Sequence, residues 1–97
     1  MQIVWTKAAL ADLEEISIYY SENASIHIAD SISQRIVAEI TSLIDFPERV
    51  RASSRIAGAR EVVINKLPYI AFIRVLPSEI VVLNVVHTAR QFPLKGR

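Results

Sequence analysis

Three closely spaced runs of strand-forming residues in the second half of the chain constrain its fold more than any other feature. They cover Glu61–Leu67, Tyr69–Leu76 and Glu79–His87, with short proline-containing breaks between them. Val, Ile, Tyr and Phe recur in the runs, and these residues suit a pleated, half-buried surface. Because the breaks are short, neighbouring strands should be antiparallel, and the pattern predicts a β-meander. The N-terminal half must then cover one face of this sheet, and the opposite face becomes the candidate functional face.

The first half of the chain shows helical periodicity after a short predicted strand, Gln2–Trp5. Thr6 is a residue type that caps helices, and the predicted first helix runs from Lys7 to Glu22. Its acidic residues, including Asp12, are expected to lie outside the apolar stripe. The stripe recurs at spacings of three and four, as one helix face requires, and consists of Ala9, Leu13, Ile16 and Tyr20.

A second helix is predicted from Ile26 to Phe46, with Ser25 as its cap and Pro47 as its stop. Its apolar stripe consists of Ala29, Ile32, Ile36, Ile40 and Leu43. So short a connection between helices makes a hairpin, whose stripes can cover the sheet. We therefore expect one α+β domain over residues 1–97: a short N-terminal strand, a two-helix hairpin packed on one face of the sheet, and a C-terminal antiparallel meander.

Composition points to a small protein with a partner. The 97 residues are 52% hydrophobic and 22% charged, an apolar surplus that suggests a surface covered by another molecule. The sequence has no cysteine, and no apolar span is long enough for a membrane helix or a signal peptide. We expect a cytoplasmic protein that binds neither membrane nor cofactor.

Charge divides the chain into two unlike halves. Residues 1–48 hold two basic residues against eight acidic ones, a net charge of −6, whereas residues 49–97 hold nine against two, a net charge of +7. A basic sheet half could face nucleic acid or an acidic protein, or it could simply keep sheet edges soluble. The basic segment over residues 48–58 predicts a loop, with a short strand near Arg55–Ala57 and an unusual backbone angle at Gly58.

Few residues offer catalytic chemistry. His27 and His87 are the only histidines and lie far apart, so a metal site is not indicated, and no glycine-rich phosphate loop or nucleophile motif is present. The remaining candidates cluster on or beside the predicted meander, and they are Arg60, Arg74, His87 and Arg90. Arginine suits phosphate and carboxylate, and histidine can transfer protons. Alternatively, Arg60 and Glu61 pair with neighbouring charges and His87 merely closes a strand.

Near its start the chain carries Trp5, Ala9, Asp12-Leu13 and Ile16. Five short motifs follow in order, and they are Phe46-Pro47, Gly58-x-Arg60-Glu61, Pro68-Tyr69-Ile70, Arg74, and Val86-His87-x-x-Arg90-x-x-Pro93. Together with the order of elements, these residues resemble the RelE/ParE toxins over essentially the whole chain, and the C-terminal motifs look like the ParE branch.

This resemblance implies the toxin of a type II toxin-antitoxin, or plasmid stabilisation, system. A cognate antitoxin encoded by a neighbouring gene would neutralise it, and the two could form a hetero-oligomer. ParE-like toxins poison DNA gyrase, whereas RelE-like toxins cut messenger RNA on the ribosome. RelE relatives place an arginine directly after the aromatic residue of the middle strand, where this chain has Ile70 after Tyr69. The chain also departs from the RelE pattern at Thr88, Ala89 and Leu94.

Three hypotheses remain open at this point. The favoured one is a non-enzymatic toxin that binds DNA gyrase; the others are a ribosome-dependent mRNA endonuclease and an inactive member that only binds its antitoxin. Catalytic candidates, should the protein be an enzyme, are His87, Arg60 and Arg90. The target-binding candidates are Arg60, Arg74, His87, Arg90, Lys95 and Arg97.

Overall fold

A computed structural model describes residues 1–89 and confirms the predicted α+β architecture. Two helices follow a short strand, and three further strands complete a mixed sheet with the order β1-β4-β3-β2 in this part of the chain. The elements are β1 (Gln2–Trp5), α1 (Lys7–Asn23), α2 (Ile26–Thr41), two 3₁₀ turns (Ser42–Ile44 and Pro47–Arg49), β2 (Arg60–Val63), β3 (Tyr69–Val75) and β4 (Glu79–His87).

Both predicted helix caps are confirmed. The Thr6 hydroxyl accepts a hydrogen bond from the backbone N–H of Ala9 at 3.1 Å, and Ser25 accepts one from Ile28 at 3.1 Å. These bonds satisfy backbone donors that the first turn of a helix leaves without a partner. Thr6 also lies within 3.0 Å of the carbonyl oxygens of Val82 and Leu83, to which its hydroxyl can donate. The start of α1 is thereby attached to β4.

Two predicted elements are shorter in the structure than the sequence suggested. The second helix ends at Thr41 rather than Phe46, because the chain tightens there into the 3₁₀ turn Ser42–Ile44. The strand predicted over Glu61–Leu67 is instead β2, Arg60–Val63. Lys66 has a left-handed φ of 64°, and this turn conformation ends the strand before the run of strand-forming residues is complete.

The meander pairs as predicted, and the N-terminal strand joins it in a way the sequence did not show. β2 with β3 and β3 with β4 are antiparallel, whereas β1 lies parallel to β4, with Gln2 opposite Glu79. The pairing of β3 with β4 shifts register between Phe72 and Ile73. A bulge of this kind bends the strand locally and leaves backbone groups for other partners.

Both faces of the sheet carry buried apolar residues, so the candidate functional face is itself partly covered. Both helices pack on the first face, over a core that includes Ile36, Ile40, Ala71 and Val82. The opposite face carries a second buried cluster of Ile70, Phe72 and Val86, with Leu83 and Ile56 packed against it. Ile56 belongs to the loop before β2, so this loop lies over the second face. The short strand expected near Arg55–Ala57 is absent from the described residues, and an isolated bridge joins Ala52 to Arg60 instead.

Candidate functional site

The basic loop before β2 is anchored by a buried carboxylate, Glu61. Only 4% of Glu61 is exposed, and it lies opposite Phe72, on the second face of the sheet. Its carboxylate accepts a hydrogen bond from the Ser53 hydroxyl at 2.8 Å and contacts Arg51 at 3.4 Å and Arg55 at 3.8 Å. The alternative in which Glu61 pairs with neighbouring charges therefore holds for this residue, and its partners are loop arginines.

Ser53 extends this anchor into the loop backbone. Its hydroxyl oxygen accepts hydrogen bonds from the N–H groups of Arg55 and Ile56, both at 3.0 Å. The backbone N–H of Glu61 in turn donates to the Arg51 carbonyl at 3.1 Å. Buried polar groups require such partners, so the loop is held in one conformation by bonds at both of its ends. Sequence reasoning missed Arg51, Ser53 and Arg55, although their clustering ahead of Glu61 in a basic loop was a usable signal.

Arg60 and Arg74 lie near each other along the sheet but belong to opposite faces. Arg60 stands opposite Ile73 of the helix-side core and donates a hydrogen bond to the Val50 carbonyl at 2.8 Å. Arg74 is exposed and approaches Gly58, where an added Cβ would lie 2.6 Å from its Nη1 atom. Gly58 has a φ of 76°, so its predicted unusual backbone angle is confirmed.

His87 ends β4 at the other end of the sheet. It lies opposite Tyr69, and the two rings meet edge to face with centroids 5.6 Å apart. The Nδ1 atom of His87 accepts a hydrogen bond from the Ala89 N–H at 3.1 Å. A pocket of about 180 Å³ opens beside the ring, and its lining is Asp12, Glu15, Ile16, Tyr19, Tyr69, Val85, Val86 and His87.

Asp12 is a buried member of this pocket, contrary to the prediction that it lies outside the apolar stripe. It is 3% exposed, and its Oδ2 atom accepts a hydrogen bond from the Val85 N–H at 2.9 Å and lies 3.4 Å from the Asn84 side-chain nitrogen. The carboxylate thus provides a hydrogen-bond acceptor for a backbone N–H group close to the β3–β4 register shift. Its position three residues after Ala9 and four before Ile16 was the sequence signal for burial.

Tyr69 is one of the two tyrosines that line the pocket beside His87. Burial raises its pKa well above the ordinary value for tyrosine, and the hydroxyl of Tyr20, 3.4 Å away, adds to the shift. Tyr69 therefore stays protonated at neutral pH. In this state it can donate a hydrogen bond but cannot serve as a base.

The described candidates do not meet in one cluster. On β3, the partner of His87 is Tyr69 and the partner of Arg60 is Ile73, four positions further along. At a rise of about 3.3 Å per residue, this separation is roughly 13 Å. Arg90, Lys95 and Arg97 lie outside the described residues.

Two further features of residues 1–89 bear on the class of site. No group of three or more His, Asp or Glu side chains there is placed to hold a metal ion. None of the helices in the same part of the chain is long and apolar enough to cross a membrane.

Comparison of the chain with known proteins identifies its family. The family model described as "ParE toxin of type II toxin-antitoxin system, parDE" matches residues 3–92. The chain belongs to the ParE toxin family. As a ParE-family protein, it is the toxin of a type II toxin-antitoxin system, and the match covers both helices and all the described strands except Gln2, the first residue of β1.

Relatives of this ParE-family toxin share both sequence and fold with it. The protein Y4kP of Sinorhizobium fredii is 33% identical over 92 residues, covering 95% of this chain and 93% of the relative. Toxin RelE2 of Caulobacter vibrioides is 33% identical over 89 residues, covering 92% of this chain and 97% of the relative. A solved structure of the chromosomal ParDE system from P. aeruginosa superposes with a TM-score of 0.82 at 28% identity, covering 90% of this chain and 95% of the other.

Proposed function

We propose that this ParE-family toxin acts by binding DNA gyrase in the cytoplasm, without catalysing a reaction, and that a cognate antitoxin neutralises it. The observation that carries the proposal is the separation of His87 from Arg60 and Arg74. Catalysis needs an acid or base and a stabilising cation within reach of one reacting group. A binding protein has no such requirement, since its contacts can be spread across a surface.

The surroundings of His87 also favour binding over RNA cleavage. Within the described chain, the pocket beside it is lined by the carboxylates of Asp12 and Glu15 and by no lysine or arginine. Carboxylates repel a phosphodiester and its developing negative charge. Ile70 occupies the position of the RelE arginine, and it is buried in the second cluster. These observations make RNA cleavage the less favoured function. Two alternatives to gyrase binding stay open: ribosome-dependent cleavage with His87 as acid or base, and an inactive toxin that only binds its antitoxin.

The target-binding candidates stay those of the sequence analysis. Arg74 and His87 are exposed, and Arg60 is half-buried against Val50. We propose that these residues contact gyrase together with Arg90, Lys95 and Arg97, which lie outside the described residues. Their spread along the sheet fits a broad protein surface better than a compact active site.

An apolar surface on the helix hairpin supports the antitoxin proposal. Six large apolar side chains of α1 and α2 are at least 37% exposed, and they are Leu10, Ile18, Tyr19, Ile26, Ile28 and Val37. Large apolar side chains exposed together on two adjacent helices are candidates for contact with a partner. We propose that an antitoxin segment covers the hairpin and forms a hetero-oligomer with the toxin; the similar P. aeruginosa structure is itself a ParDE system.

Parallel assays of the purified toxin test the function. The toxin should inhibit supercoiling by gyrase and trap gyrase on DNA, while ribosome-bound transcripts stay intact, and the neighbouring gene product should reverse the inhibition. Loss of transcripts with intact supercoiling would make the protein a ribonuclease with His87 in its site. Antitoxin binding without either effect would identify an inactive toxin.

The hairpin contact has its own test by titration calorimetry. Tyr19→Ala with Ile28→Ala should weaken antitoxin binding at least tenfold, because truncating an apolar anchor of an interface typically costs more than 1 kcal/mol. Glu22→Ala with Asp30→Ala is the matched control, since both residues are exposed on the same two helices. Equal affinity in the two double variants would rule out the hairpin as the antitoxin surface.

A further inference from the structure

An arginine surface on the second face of the sheet is not explained by the fold. We define the basic loop surface as the exposed side chains of Arg51, Arg55 and Arg74 around Gly58. Arg51 and Arg55 contact the same Glu61 oxygen, so their guanidinium groups are neighbours. Arg74 reaches the same loop from β3, where its Nη1 atom lies against Gly58. Two cations thus contact a single buried carboxylate, and a third lies against the same loop.

Glu61 positions these arginines and leaves part of each side chain exposed. The side chain of Arg51 is 72% exposed and that of Arg55 is 36% exposed, although each contacts Glu61. Because the Glu61 carboxylate is buried, its contacts with the two arginines hold the inner side of each guanidinium group in place. The exposed part of each side chain can contact an incoming anion without displacing Glu61. Glu61 meanwhile stays bonded to Ser53 at 2.8 Å and keeps the loop in place.

The shape of this surface suits a phosphate backbone better than a protein. Four other exposed residues of the same loop are small, namely Ala52, Ser54, Ala57 and Gly58. Protein interfaces centre on bulky aromatic anchors that insert into pockets. Phosphate contacts instead use arginine forks and a flat approach, and their strength comes from charge. The acidic residues Asp12 and Glu15 lie at the opposite end of β3, beside His87, and so do not weaken the field of this surface.

We propose that the basic loop surface binds the phosphate backbone of duplex DNA through Arg51, Arg55 and Arg74. The evidence for DNA binding is the charge and exposure of these three residues. A role for DNA binding in gyrase inhibition rests, in addition, on the function proposed above, because a toxin that binds gyrase would then also hold the DNA on which gyrase acts. Binding is independent of base sequence, because phosphates carry no base identity.

Fluorescence anisotropy of the purified toxin with a labelled duplex of about 20 base pairs tests the contact, since binding through three phosphates has a defined salt dependence. The wild-type affinity should fall about 40-fold between roughly 50 and 200 mM salt, a log–log slope near −2.7. Arg51→Gln/Arg55→Gln/Arg74→Gln should weaken binding at least tenfold at low salt. The matched control is Lys7→Gln/Arg35→Gln/Lys66→Gln, which removes equal charge from exposed positions elsewhere.

Arg74→Gln alone keeps the assay decisive if the triple variant unfolds, because it leaves all the contacts of Glu61 intact. It should flatten the salt slope by about 0.9. Equal losses in the loop triple variant and its control would overturn the inference. A polyglutamate peptide that displaces DNA from the wild type more effectively than unlabelled duplex would also overturn it, in favour of an acidic protein partner.

A gyrase supercoiling assay on the same samples separates the two proposals. DNA binding that depends on the three arginines, without gyrase inhibition, would support the inference and refute the proposed function. Gyrase inhibition combined with equal DNA binding by the loop triple variant and its control would refute the inference and leave the proposed function in place.

Discussion

Asp12 on the first helix accepts a hydrogen bond from the backbone N–H of Val85 on the last strand, at 2.9 Å. The two residues are 73 positions apart, and the bond joins the helix layer to the sheet at the β3–β4 register shift. A buried backbone donor that loses its partner destabilises a protein, so this carboxylate has a structural role. The same residue lines the pocket beside His87.

Removing the Asp12 carboxylate should destabilise the fold. Asp12→Ala leaves the Val85 N–H without its acceptor in a buried place, and we expect the free energy of unfolding to fall by about 1–3 kcal/mol. Asp12→Asn keeps an acceptor oxygen and should lose less. Urea unfolding followed by circular dichroism measures both, with Glu14→Ala, an exposed change on the same helix, as control. Equal stability of Asp12→Ala and Glu14→Ala would show that the bond is dispensable.

Gly58→Ala should lower stability mainly through the backbone. A side chain at a φ of 76° costs roughly 1–2 kcal/mol in the left-handed region. The contact with Arg74 Nη1 adds little, because that atom is the end of a flexible side chain. Adding Arg74→Ala should consequently leave most of the loss in place. Full recovery of the thermal midpoint in the double variant would instead identify the contact with Arg74 as the dominant cost.

Arg60 and His87 should matter more for toxicity than for folding. Arg60→Ala removes a hydrogen bond to the Val50 carbonyl, which typically contributes about 0.5–1.5 kcal/mol, and the exposed ring of His87 should contribute no more. Growth assays and thermal unfolding of each variant check the two properties separately. Arg35→Ala is a suitable control for Arg60→Ala, since Arg35 also donates to a backbone carbonyl, that of Asn65 at 2.7 Å. Unfolding of Arg60→Ala would assign that residue a structural role.

Tyr69 should make the fold sensitive to alkali. Its pKa is raised in the folded state, chiefly by burial, whereas the unfolded chain loses this proton near pH 10. Above that pH the unfolded state binds fewer protons than the folded state, so the tyrosine's contribution is present below about pH 10 and declines as pH rises further. Thermal midpoints measured between about pH 8 and 11 should fall less steeply in Tyr69→Phe than in the wild type. Tyr19→Phe, an exposed change in the same aromatic group, removes only the smallest cause of the raised pKa and should stay closer to the wild type than Tyr69→Phe does.

The sequence alone determined the local elements of this protein. Thr6 and Ser25 cap their helices as expected, β1 and β4 have the predicted bounds, and the fold class and family followed from motif order. These features depend on residues a few positions apart, through helical or strand periodicity and through capping bonds within one turn. The premature ends of α2 and β2 were not visible in the sequence, because apolar residues continue through both turns.

The tertiary structure decided which distant segments of the chain lie next to each other. The parallel pairing of β1 with β4, the burial of Asp12 against Val85 and the cover over the second face all join segments distant in sequence. The same is true of the site: the sequence suggested Arg60, Arg74 and His87 as one group, whereas strand register sets His87 four positions along β3 from Arg60. Register depends on how whole faces pack, and a shift of a single residue exchanges the faces. Local propensity carries no information about that choice, so the separation of His87 from the arginines could be read only from the folded chain.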